Sequence, residues 1–91
     1  VEARDYSYRG LDKFTAKAGT EVSLEMKNTG RADHELVIID PGGATIGGVP
    51  PTPPGRVGAA KVALGQAGTY TYGCFVEDHL SRGMTGTFVV K

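Results

Sequence analysis

Tryptophan is absent from this chain of 91 residues, cysteine occurs once and histidine only twice. One cysteine cannot close an internal disulfide, so the fold must be held by its core and the lone thiol needs another use. The 10 Lys and Arg balance the 10 Asp and Glu, which leaves zero net charge and no block of either sign. Such a chain has no long-range field with which to collect nucleic acid or anionic lipid, and nucleic acid is not expected as a partner. No apolar run approaches the roughly 18 residues of a membrane span, and no charged and then apolar leader opens the chain. The first residue is Val1 rather than Met, which reads as a processed product from which a signal peptide or anchor has been removed.

What is abundant is glycine, with 14 Gly and 5 Pro scattered between short apolar stretches. Few stretches favour a helix, so an all-β fold of short strands joined by turns is expected, in one domain spanning residues 1–91. A chain of this length buries roughly 65% of its unfolded surface, enough for one core. Ala3 to Tyr8 is the first strand candidate, ended by a turn at Gly10-Leu11-Asp12, and Phe14 to Lys17 is a short second one. The clearest alternation sets Val22, Leu24 and Met26 against Glu21, Ser23, Glu25 and Lys27, the pattern of a half-buried strand. His34 then opens the continuous apolar run Leu36-Val37-Ile38-Ile39, read as a central strand covered on both faces.

From Pro41 to Gly55 paired glycines and paired prolines predict a long surface loop, since proline cannot supply ladder donors. Arg56 to Leu64 is a weaker strand, with Val57 and Ala59 out of register with Val62 and Leu64, which predicts a bulge near Ala60-Lys61. Tyr70, Tyr72 and Cys74 share one face of the next strand, and Phe88 and Val90 oppose Thr87 and Val89 on the last. The stretch Leu64 to Tyr70 matches a tyrosine corner, in which a hydroxyl bonds back to the preceding connection. Seven to eight strands at this spacing predict a Greek-key β-sandwich or barrel.

Chemistry concentrates between Cys74 and Met84. A thiolate, the imidazole of His79 and a thioether lie on one loop between two strands, which is a soft-metal pattern, and the thioether points to copper. One further strong donor is needed, and His34 is the only other histidine. Neighbouring strands that alternate in direction can bring a residue at the start of one and a residue at the end of the other to the same end of a sandwich. Each donor also has a plainer use, His34 as a polar strand entry, Met84 as a core filler and Cys74 as a small buried hydrophobe. Zinc would use the thiolate and both imidazoles but gains little from the thioether, and the paired Cys or His spacing of structural zinc sites is missing. A nucleophilic Cys74 with His79 as base leaves His34 and Met84 without a role, so an enzyme is not expected.

The pattern Gly68-x-Tyr70-x-Tyr72-x-Cys74-x4-His79-x4-Met84-x-Gly86-Thr87, with His34 ahead of an earlier apolar strand, resembles the blue copper proteins of the cupredoxin family. The loop is similar to the auracyanin and sulfocyanin types, with four residues in each gap, and unlike plastocyanin, whose first gap is shorter. The resemblance covers nearly the whole chain. It implies one copper ion cycling between Cu(I) and Cu(II), with His34, Cys74 and His79 as trigonal ligands and Met84 as the long axial one. It implies a one-electron carrier between redox proteins of cytochrome, oxidase or reductase type, in the periplasm or elsewhere outside the cytoplasm, with electrons passing the solvent-facing edge of His79. A copper delivery protein and a metal-free interaction domain are the alternatives, and a monomer is expected.

Two residues depart from the family pattern. Glu35 stands where relatives similar to plastocyanin have an asparagine that ties two loops together, so Glu35 is expected to accept backbone bonds beside the site. Glu77-Asp78 replaces a common Pro-Gly and makes the rim more acidic. Chain direction should bring residues 41 to 56 back toward the site, so Val49, Pro50 and Pro51 are expected to form an apolar docking rim with Leu80.

Overall fold

The structure, a computed structural model, describes residues 1–11 and 14–91. Its strands are β1 (Glu2–Arg4), β2 (Ser7–Arg9), β3 (Thr15–Ala16), β4 (Thr20–Asn28), β5 (His34–Ile39), β6 (Thr45–Thr52), β7 (Val57–Leu64), β8 (Gly68–Gly73) and β9 (Thr85–Val90). They form two sheets, in the orders β2-β1-β4-β7 and β3-β9-β8-β5-β6. Pairing is antiparallel except between β1 and β4 and between β3 and β9. Among the described residues no helix is long and apolar enough to cross a membrane.

The all-β sandwich holds, with nine strands among the described residues where seven to eight are expected. One addition comes from Ala3 to Tyr8, which is not a single strand but the hairpin of β1 and β2, with Ala3 opposite Tyr8 and the chain reversing at Asp5-Tyr6. The other is β6, inside the segment read as loop. β6 is the outer strand of its sheet, so Pro50 and Pro51 withhold no donor from a further neighbour, which is where a sheet tolerates proline. One of its glycines is needed for close approach. Gly48 has φ 145°, and a Cβ there would lie 1.8 Å from the Leu36 carbonyl oxygen.

β7 also differs from expectation. It pairs with β4 in unbroken register from Val57 opposite Lys27 to Leu64 opposite Thr20, with no bulge at Ala60-Lys61. Gly58, Ala60, Val62 and Leu64 make the inner face, and Val57 points to solvent, 59% exposed. In β5 the face of His34, Leu36 and Ile38 is buried, while Val37 and Ile39 on the other are only half-covered, because no layer packs fully over the outside of the sheet. Of the predicted turn after β2, Gly10 has φ 105° and Leu11 is buried, while Asp12 lies outside the described residues.

Between the sheets, Leu24 and Met26 of β4 and Val62 and Leu64 of β7 face Leu36 and Ile38 of β5, Tyr70 and Tyr72 of β8, and Phe88 and Val90 of β9 in one cluster. Aromatic rings form its centre, with Phe88 stacked on Tyr70 at 5.3 Å and edge-on to Phe14 at 5.2 Å. Each such pair adds roughly 1 kcal/mol beyond the apolar area it buries. The tyrosine corner forms as expected. The Tyr70 hydroxyl donates to the Gln66 carbonyl at 2.8 Å and accepts the Gln66 N–H at 3.2 Å.

Gly48→Ala should therefore lower stability by about 3 kcal/mol, since strain at this φ and displacement of β5 act together. Tyr70→Phe, which removes only the corner bonds, should cost about 1 kcal/mol. Urea unfolding of the metal-free protein measures both, and equal losses would contradict the assignment.

Candidate metal centre

β5 and β8 run antiparallel with Val37 opposite Gly73, so the start of β5 and the end of β8 share one end of the sandwich. His34 and Cys74 meet there. The chain after Cys74 is a compact series of turns whose neck is closed by the Cys74 N–H donating to the Met84 carbonyl at 3.1 Å. Inside it the His79 N–H donates to Val76 at 3.0 Å, and the Met84 N–H donates to the His79 carbonyl at 3.2 Å. Glu77, at φ 47°, and Gly83, at φ 95°, reverse the chain on either side of His79.

The start of β5 and these turns bring three donor atoms together. Cys74 Sγ lies 3.3 Å from His79 Nδ1 and 4.0 Å from His34 Nδ1, and one donor atom from each residue lies within 4.8 Å of the others. All three residues are buried, as is Met84, whose backbone is tied to both Cys74 and His79. Ligands about 2.0–2.3 Å from a common ion stand roughly 3.5–4 Å apart, so the spacing suits a bound metal. Two imidazoles and one thiolate fit copper better than a hard cation.

Three residues that the motif does not contain support this end of the fold. Asn28, buried at the end of β4, donates from Nδ2 to the carbonyls of Ala32 and Thr52, each at 2.8 Å, and accepts the Gly30 N–H at 2.9 Å. It joins the segment before His34 to the strand beside it. Asp5 accepts the Arg31 and Ala32 N–H groups and bonds His34 Nε2 at 2.7 Å. The Arg31 N–H is the largest influence holding its carboxyl below the usual carboxylate range. Tyr6 sets its ring against His79, with centroids 5.0 Å apart, and the Arg82 guanidinium lies 4.7 Å above Tyr6 while pairing with Asp78 at 2.8 Å.

Several expectations change as a result. His79 is 1% exposed, so its edge is not solvent-facing; the hairpin between β1 and β2 brings Tyr6 over it. The loop-tying role expected of Glu35 falls to Asn28. The Glu35 carboxylate makes no hydrogen bond among the described residues, while its backbone carbonyl accepts the Tyr8 hydroxyl. Burial first, then Cys74 and Glu35 nearby, hold that hydroxyl protonated far above the ordinary phenol range. Val49 is no part of a surface rim, because it faces inward on β6 and is 2% exposed. Pro50 and Pro51 are exposed beside Thr52, which pairs with His34, and Leu80 is 39% exposed with its Cδ1 over Gly73. Asn28 sits in the regular alternation of β4 and Asp5 in an apparent strand, so neither carried a local signal.

No protein-family model matches the chain, and no curated protein sequence does. Solved structures do. The chain is similar to reduced auracyanin from the photosynthetic bacterium Roseiflexus castenholzii at 21% identity, with a TM-score of 0.82 over 99% of this chain and 94% of that one. It is similar to auracyanin A, a blue copper protein of Chloroflexus aurantiacus, at 19% identity, with a TM-score of 0.83 over 100% of this chain and 97% of that one. Reduced rusticyanin is 27% identical over 85% of this chain and 61% of its own, with a TM-score of 0.67. The chain has the cupredoxin β-sandwich fold, and its cluster of His34, Cys74 and His79 resembles a blue copper ligand set.

Asn28→Ala strands one N–H and two carbonyls at a buried junction, and should lower the stability of the metal-free protein by about 3 kcal/mol. Denaturant unfolding checks this, and a loss below about 0.5 kcal/mol would show that the junction does not depend on the amide.

Proposed function

We propose that this chain is a small type 1 copper protein that carries one electron at a time between redox proteins. In this reading His34, Cys74 and His79 would hold one copper ion, with the Met84 thioether as a further, weak donor. The observation that carries it is the convergence of one ring nitrogen from each of His34 and His79 and the Cys74 Sγ within 4.8 Å of one another, on three buried residues of a cupredoxin fold. Copper in such a donor set supplies a one-electron couple, because thiolate and thioether suit Cu(I), imidazole suits Cu(II), and neither state is strongly favoured.

The protein's own residues do the rest. The Cys74 thiol gives up its proton to bind, and the loop neck that bonds Cys74 to Met84 keeps the donors in one arrangement in both oxidation states. Burial of all four residues keeps water from the sulfur and favours retention over delivery of the ion. With His79 covered, the route to a partner runs through the Tyr6 ring, and the docking face consists of Tyr6, Leu80, Pro50 and Pro51. The partners are redox proteins of cytochrome, oxidase or reductase type met outside the cytoplasm, and the chain works as a monomer without catalysing a reaction of its own.

Adding Cu(II) to the metal-free protein should give one ion per chain and an intense thiolate-to-copper band in the visible spectrum, absent from Cys74→Ala. Colourless tight binding, or voltammetry without a reversible one-electron wave, would sink the reading. Met84→Leu should keep the ion and raise the potential, since a weak donor to Cu(II) is lost. At zero net charge, the rate of reaction with a redox partner should change only modestly between low and physiological salt, and a steep dependence would contradict weak long-range steering.

A further inference from the structure

The turn between β1 and β2 supplies more than a cover for His79. Its Asp5 carboxylate accepts the Arg31 N–H at 2.9 Å and the Ala32 N–H at 3.3 Å, and these two bonds fix the direction in which it meets His34. The third bond, to His34 Nε2 at 2.7 Å, joins a histidine side chain with no exposed surface to a carboxylate that is 25% exposed. Gly30 leaves the room for this contact. A Cβ at that position would lie 2.4 Å from Asp5 Oδ1 and 2.9 Å from His34 Nε2.

An ionised carboxylate only accepts hydrogen bonds, so Nε2 carries a proton, and in the neutral ring that leaves the lone pair on Nδ1. Nδ1 is the atom that faces Cys74, 4.0 Å from its Sγ. The contact therefore selects the tautomer as well as the ring orientation. It also brings a full negative charge within one hydrogen bond of a donor residue, which makes the imidazole a stronger donor. A nearby negative charge stabilises the more positive of two oxidation states.

We propose that Asp5 is a positioning residue of the metal centre, one that holds His34 with Nδ1 turned toward Cys74 and His79 and biases the bound ion toward its oxidised form. The charge half of the proposal rests on the copper reading above. The orientation half does not.

Asp5→Asn keeps the shape and one acceptor oxygen while removing the charge. In the copper-loaded protein it should lower the ratio of Cu(II) to Cu(I) affinity about tenfold, which for a one-electron couple raises the potential by about 59 mV. In the metal-free protein, nitrogen NMR of the histidine rings should find His34 protonated at Nε2 in the wild type and a mixture of tautomers in Asp5→Ala. Thr29→Val is the control, because it removes the 2.6 Å bond from Thr29 to Glu2 in the same hairpin and leaves Asp5 in place. It should move neither the tautomer nor the potential.

An unchanged potential in Asp5→Asn, or an equal shift in Thr29→Val, overturns the charge half. A wild-type His34 protonated at Nδ1 overturns the orientation half, and this measurement needs no variant to fold. If the wild type gives no thiolate band with copper, the copper reading and the charge half fail together, while the tautomer still decides the orientation half.

Discussion

The antiparallel pairing of β5 with β8 is the constraint on which the site depends. Because Val37 stands opposite Gly73, the residue that opens β5 and the residue that follows β8 are delivered to the same end of the sandwich. Sheet pairing is rigid and cooperative, so this placement needs nothing from the loops. The loop after Cys74 then has one task, to return His79 and Met84 over that end before β9 leaves beside β8. The backbone bond between Cys74 and Met84 closes the loop at the point where β8 and β9 separate. The donor geometry is thus an extension of the sheet.

Around that constraint the fold has built a closed polar end. Among the described residues no buried side-chain nitrogen or oxygen lacks a hydrogen-bond partner. Asn28 fastens the segment before His34 to Thr52, Asp5 fastens the same segment to the N-terminal hairpin, and Tyr6 closes the space over His79. Each contact costs the entropy of ordering a side chain, and the return is largest at Asn28, which is buried away from water where electrostatic interactions are stronger. Arg82, held by Asp78 over Tyr6, shows that the acidic rim is partly internal, since one of its two carboxylates is paired within the loop.

Much of the framework was legible from residue patterns. The alternation of Val22, Leu24 and Met26, the shared face of Tyr70, Tyr72 and Cys74, and the corner at Gln66 all appear as read, because each depends on neighbours within one strand or one turn. The errors have a common physical origin. Pro50 and Pro51 made β6 look like a loop, since proline is barred from a central strand but not from an outer one, and position in the sheet is not written locally. Val57 and Ala59 out of register with Val62 and Leu64 suggested a bulge, whereas the inner positions went to Gly58 and Ala60, and β6 presses so closely on the first that a Cβ on Gly58 would lie 2.5 Å from Val49. Ala3 to Tyr8 looked continuous although a reversal at Asp5-Tyr6 lies within it.

By itself the sequence determined the donor types and their spacing, the periodicity of the main strands, and the absence of any charge with which to gather a partner from a distance. These are properties of residue chemistry and of the two-residue period of a strand, and they hold before any tertiary contact forms. Only the tertiary structure decided that Asn28 rather than Glu35 ties the loops, that Asp5 orients His34, and that Tyr6 rather than solvent meets His79. Those contacts join residues far apart in the chain, and a hydrogen bond or ring contact between distant segments leaves no pattern in either one.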